Sequence, residues 1–178
     1  MIGIPLVVHS THGMPAMFRI FSALISLVLV TAPAYAVDPP KADVFVAQVA
    51  GGNTFEIESS KLAATKTKAE PVRAFAAEMV TDHTAAAAKF KQALTEGKVK
   101  PPAEGVEAKH KAILDDLRKK DGTAFDSAYI EAQHKAHTET IELFQSYADG
   151  GDNARLKQFA QEMLPTLRKH LEHVTKLH

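Results

Sequence analysis

Apolar residues recur along most of the chain at spacings of three and four, the period of a helix that buries one face. From Val72 the stripe runs through Phe75, Ala76, Met79, Val80, His83, Ala86, Ala87 and Phe90. A histidine therefore stands where the pattern reserves room for an apolar side chain. Beyond residue 36 no segment alternates apolar and polar positions, β-branched runs are few, and there are twenty-four alanines, so helix is expected nearly everywhere.

The pattern predicts four long helices and one short one. The first spans about Ala42 to Thr67 and carries Phe45, Val49, Phe55, Leu62 and Ala63. Gly51-Gly52 lies inside it and should weaken or bend it. The second spans about Pro71 to Glu96, with proline suited to its first turn and Gly97 as its stop. After the loop "KVKPPAEG", the stretch "VEAKHKAILDDLRKK" makes a shorter helix ended by Asp121-Gly122. The third long helix starts with Thr123 as N-cap, Asp126 three residues on, and carries Phe125, Tyr129, Ile130, Ile141 and Phe144. Past the turn "ADGGDN", the fourth runs from about Asn153 to Lys176 with Leu156, Phe159, Met163, Leu167, Leu171 and Val174.

Short joints make antiparallel hairpins of the first and second long helices and of the third and fourth. Between the pairs lie about 25 residues that include a helix, enough for a crossover along the bundle at about 1.5 Å per helical residue. The expected fold is all-α, a ferritin-like four-helix bundle with an extra short helix in the crossover and the second and third long helices parallel. A plain up-down bundle with a short lateral helix is the alternative.

His137 is in phase with Tyr129, Ile130, Gln133, Ile141 and Phe144, and His170 with Met163, Leu167 and Val174. With His83, each of three long helices aims one histidine inward. On the first helix Glu56 and Glu58 flank Phe55, and Asp82 precedes His83. Imidazoles and carboxylates from facing helices are what a metal site inside a bundle is built from. Two readings are open. One is a metal or small-ligand site made by His83, His137, His170 and Glu56 or Glu58. The other is a buried hydrogen-bonded network of the same histidines with Glu56, Asp82 or Tyr129.

The Glu-x-x-His pairs of a di-iron site are incomplete. Glu131 and His134 have the spacing, but His134 is off the apolar phase. Glu107 and His110 fall in the crossover helix on what reads as a solvated face, and His173, three residues after His170, reads as outward-facing. Pro165 removes a backbone hydrogen bond one turn before His170, which makes it a tolerated kink or a device that re-aims that ring.

Composition then narrows the setting. From Met17 the chain reads "MFRIFSALISLVLVTAPAYAVDPP", with Arg19, an apolar run from Ile20 to Val30 and the small-x-small pattern Ala34-Tyr35-Ala36. Residues 1–36 are read as a signal peptide, residues 1–16 as an over-extended start, and 37–178 as the helical domain, periplasmic or secreted after cleavage. The apolar run covers about half of the roughly 20 residues that a permanent span needs. Beyond the leader, twenty basic residues face twenty-one acidic ones, so no long-range attraction to nucleic acid follows. The absence of cysteine excludes disulfides and thiolate metal ligands.

Four segments carry a resemblance: "FVAQVAGGNTFEIESSKLA", "VRAFAAEMVTDH", "FDSAYIEAQHKAH" followed by "IELF", and "LKQFAQEMLPTLRKHL". In this order they resemble exported bacterial ferritin-like proteins catalogued as a domain of unknown function and labelled periplasmic or outer-membrane. The matches fall on Asp82 and His83, on Phe125, Asp126, Tyr129 and His137, and on Leu164, Pro165 and His170. The resemblance implies a ferritin-like bundle and brings no activity, and fold analogy alone licenses neither ferroxidase nor iron storage. The lack of alternating strands excludes an outer-membrane barrel.

The sequence states no reaction. The first functional expectation is a non-enzymatic envelope protein associated with stress, binding an envelope protein or small ligand, with the histidines as core network. The alternative is a ferritin-like metal-binding protein, redox-active or not, holding iron, zinc or manganese on His83, His137 and His170 with Glu56 or Glu58 completing the shell. A third is a self-associating bundle that uses the face from Ala85 to Ala88.

Overall fold

The computed structural model describes residues 38–103, 105 and 107–177, and the expected leader with the residues ahead of it lies outside them. The chain forms α1 (Ala42–Lys66), α2 (Glu70–Gly97), α3 (Ala108–Arg118), α4 (Gly122–Gly150) and α5 (Ala154–Thr175). Among the described residues there is no strand, and no helix is long and apolar enough to cross a membrane.

Cross-helix pairs give the directions. Ser60 meets Tyr129 and Phe45 meets Tyr147, so α1 and α4 are antiparallel. Asp82 meets His170 and Glu96 meets Arg155, so α2 and α5 are antiparallel. The short α1–α2 joint reverses the chain as well, and both α2 and α4 therefore oppose α1 and run parallel to each other. That is the ferritin-like connectivity, with α3 in the crossover and packed on α1 and α4. Lys66 at the end of α1 fixes the exit of α3 by donating to the carbonyls of Arg118 and Lys120 at 3.0 and 2.7 Å.

Helix α1 continues through Gly51-Gly52. Two boundaries differ from the pattern in an instructive way. At the end of α2 the left-handed residue is Lys98 (φ 54°), not Gly97. Gly97 instead allows a close approach, since a Cβ there would lie 2.8 Å from Asn153 Oδ1. Asn153 caps α5 by accepting from the N–H groups of Arg155 and Leu156, both at 3.1 Å, and donates to the Gly97 carbonyl at 3.0 Å. Helix α4 starts at Gly122, one residue before Thr123, with Asp121 at the N-cap position and no side-chain cap bond.

The interior has two apolar clusters with a polar layer between them. One end is filled by Phe45, Phe90, Phe144, Tyr147, Leu156 and Phe159, the other by Phe75, Met79, Phe125, Tyr129, Leu117 and Val174. Between these positions on their helices lie Glu56, Ser59, Ser60, His83, Gln133, His137 and His170, all buried. Among the described residues Val44 is the one large apolar side chain that is exposed.

Candidate functional site

The stripes that build the core aim His83, His137 and His170 inward, and the antiparallel pairings bring them to one level. Their exposures are 6%, 1% and 1%. The ring centroids form a near-equilateral triangle, with His83 5.8 Å from His137 and 5.5 Å from His170, and His137 5.5 Å from His170. One ring nitrogen from each lies within 4.8 Å of the other two.

Each ring is held by one hydrogen bond on one nitrogen. His137 Nδ1 donates to the Gln133 carbonyl at 2.9 Å, one helical turn back. His170 Nε2 donates to Asp82 Oδ2 at 2.9 Å, and His83 Nδ1 donates to Asn53 Oδ1 at 3.0 Å. A carbonyl and a carboxylate only accept, so those partners fix where the protons sit. The remaining nitrogens, His83 Nε2, His137 Nε2 and His170 Nδ1, are buried and have no partner. In neutral rings each carries a lone pair.

Burial keeps at least two rings neutral. It lowers His83 to about 3, with further lowering from His137 and His170. It lowers His137 to about 4 against the opposing pull of the Gln133 carbonyl. When each ring carries a single proton, the three outward hydrogen bonds use all of them, and a network closed by shared protons then has no donor among these nitrogens. Three converging acceptors without a donor are the usual mark of a cation or water position, and each buried orphan costs about 1–3 kcal/mol until one arrives.

Of the two candidate carboxylates, Glu56 is in the layer and Glu58 is not. Glu58 is half-exposed and paired with Lys61 at 3.0 Å. Glu56 is 4% exposed, with Oε1 3.7 Å from His137 Nδ1, the nitrogen already given to Gln133. It therefore borders the ring's outer side and stands apart from the three converging nitrogens. Burial raises Glu56 to about 8, with the Gln133 side chain opposing. Its Oε2 has no partner.

The pattern missed the residues that orient the rings. Asn53 lies one turn before Glu56 on α1, and Gln133 is in phase with His137, so both were on the right faces without a reason to be chosen. Asp82 serves His170 on α5, not its neighbour His83. Glu78 extends that pair, binding Lys169 at 2.7 Å and His173 Nδ1 at 2.8 Å, which ties His173 into the α2–α5 seam. The salt bridge to Lys169 is the main cause that lowers the Glu78 carboxyl. Glu131 and His134 are exposed and form no site. His110, expected on a solvated face, is 8% exposed and stacks on Phe55 with centroids 4.7 Å apart.

Below the histidines the polar layer is bonded mostly within the protein. Ser60 and Tyr129 share a hydrogen bond of 2.8 Å, and Gln133 Nε2 donates to Ser59 Oγ at 2.9 Å. Burial pushes the Tyr129 phenol well above its ordinary value. Among these groups only Gln133 Oε1 is left without a protein partner.

No curated protein sequence matches the chain. Among solved structures it is similar to one titled "Crystal structure of DUF305 fragment from Deinococcus radiodurans", with a TM-score of 0.65 and 12% identity over 75% of this chain and 91% of that one. At that identity the likeness is one of fold. A family model matches residues 29–177, most of the chain, and the chain belongs to that family, described as Domain of unknown function (DUF4142).

Proposed function

We propose that the protein binds one transition-metal ion between α2, α4 and α5 through His83 Nε2, His137 Nε2 and His170 Nδ1. The observation that carries this reading is the set of three buried, unpartnered ring nitrogens in one triangle. With sides of 5.5, 5.5 and 5.8 Å, the triangle's centre is about 3.2 Å from each centroid, which equals a metal–nitrogen bond of about 2.0–2.1 Å plus roughly 1.1 Å inside the ring. The rings need not move their centres to bind.

The second row supports the same reading. A ligating histidine ordinarily gives its other N–H to a carboxylate, a backbone carbonyl or another oxygen, and here Asp82, Gln133 and Asn53 fill those roles. Three imidazoles with no carboxylate among them suit zinc or copper better than iron or manganese, which favour oxygen-rich sets. Three protein ligands leave one position of a tetrahedral ion for a further ligand.

The test is titration of chelator-treated protein with Zn(II), Mn(II) and Fe(II), followed by elemental analysis and thermal melts. One zinc per chain and a higher Tm are expected in the wild type, with the metal-dependent shift lost in His137→Ala. A wild type whose melting is indifferent to every metal would return the histidines to a purely structural role.

A further inference from the structure

Two successive glycines inside α1 each cost about 0.5–1 kcal/mol relative to alanine. Gly51 is explained by packing, because a Cβ there would lie 3.0 Å from Glu107 Cγ, where the crossover settles on α1. Gly52 is not explained that way, because a Cβ there would meet nothing within 4 Å. The space it leaves lies between two cavities.

On the inner side, a cavity of ≈ 40 Å³ is walled by Val49, Phe90, Phe144, Phe159, Met163 and Leu167 and reaches His83. It lies one turn along the bundle from the histidines, since Ala86, Thr140 and Leu167 line it, three residues from His83, His137 and His170. On the outer side, a cleft of ≈ 220 Å³ beneath α3 is lined by Glu107, Lys109, His110 and Glu139. Gln48, Gly52, Glu56, Thr140 and Leu143 line both, and Gly52 is the member of that shared wall with no side chain. Glu56 is buried in the same wall with Oε2 unpartnered.

We propose that Gly52 holds open a passage from the cleft beneath α3 to the inner cavity, and that this cavity binds one small uncharged molecule of about diatomic size beside the metal. The second half rests on the tri-histidine reading. The volume of ≈ 40 Å³ exceeds the roughly 10–15 Å³ that a single water needs, and although Gln48, Asn53, Glu56, His83 and Thr140 contribute to the lining, aliphatic and aromatic side chains make up most of it, the kind of wall that accepts atoms such as xenon. An ion would lose its hydration there, with Glu56 as the one carboxyl in the lining to replace it. A neutral molecule loses little and gains contact with the aromatic walls.

Xenon tests the passage without any metal. Metal-free wild type, Gly52→Ala and Gly52→Leu are compared by xenon NMR, with circular dichroism confirming the fold. Both substitutions raise helix propensity, and the Cβ that each adds meets nothing within 4 Å. The wild type is expected to show a saturable xenon site, Gly52→Ala to keep it with slower exchange, and Gly52→Leu to lose it. No xenon site in the wild type, or equal exchange in Gly52→Leu, overturns the passage whatever the metal does. Carbon monoxide on the anaerobic Cu(I)-loaded protein tests the ligand position. An infrared C–O band is expected in the wild type and is expected to vanish in Gly52→Leu at equal copper content. A copper-loaded wild type without that band overturns the ligand position, and failure to load copper while xenon still binds overturns the tri-histidine reading alone.

Discussion

Acidifying the metal-free protein from pH 7 to pH 5 should cost the wild type little stability and the Glu56→Gln variant much more. In the fold His83 and His137 sit at about 3 and about 4 instead of 6.5, chiefly through burial. A folded pKa below the unfolded one means that the unfolded chain takes up protons first, so their contribution is whole above pH 6.5 and declines as pH falls. At pH 5 that amounts to about 2 kcal/mol for each ring and about 4 kcal/mol for the pair. Glu56 works in the opposite sense, since burial raises it from 4.5 to about 8. Its neutral form is favoured by the fold, so stability is lost as pH rises between those values and returns on acidification. From pH 7 to pH 5 the return offsets more than half of that loss in the wild type. In Glu56→Gln the return is absent and the full loss of about 4 kcal/mol appears. Surface carboxylates that are lowered, such as Glu78, act mainly below this window and cancel between the two proteins. Urea unfolding with chelator, followed by circular dichroism at pH 7, 6 and 5, measures the difference directly. Parallel pH dependences in the two proteins would refute the reasoning, because they would mean that Glu56 is already ionised in the fold, and a small loss in both would mean that the rings are not held neutral.

Three further outcomes follow from other contacts. Asp82→Ala removes the acceptor that orients His170, and zinc affinity is expected to fall about 10–100-fold while helix content stays constant, as read by a chelator competition assay. Asn153→Ala deletes the α5 cap together with its bond to Gly97, and urea denaturation should register a loss of about 1–2 kcal/mol. The intact mass of protein recovered from the exported fraction should correspond to a chain beginning at Val37, whereas a mass retaining residues 17–36 would exclude cleavage after Ala36.

Helical period is a local property, and the sequence determined whatever depends on it alone. The stripes around Val72 to Phe90 and Met163 to Val174 needed no partner to be read, because every third or fourth residue of a helix shares a face. The inward direction of His83, His137 and His170 was legible for the same reason, as was the crossover, since short joints permit only hairpins. Glu56 and Glu58 show where this kind of reading stops. Both border the stripe of Phe55, but two residues apart on a helix point in widely different directions. Packing against α4 buried one of them, while the other met Lys61 at the surface.

What the tertiary structure alone decided depends on how far each helix is rotated and shifted against its neighbours. That register put Asp82 against His170 instead of beside His83, gave Asn53 to His83, and left one nitrogen of each ring without a partner. It seated α3 so that His110 stacks on Phe55, reversing the expectation of a solvated face. It also gave Gly51 and Gly52 different roles, one meeting the crossover and the other facing open space. No window of sequence contains these facts, because each joins side chains that lie on separate helices, and only close packing of those helices sets their distance.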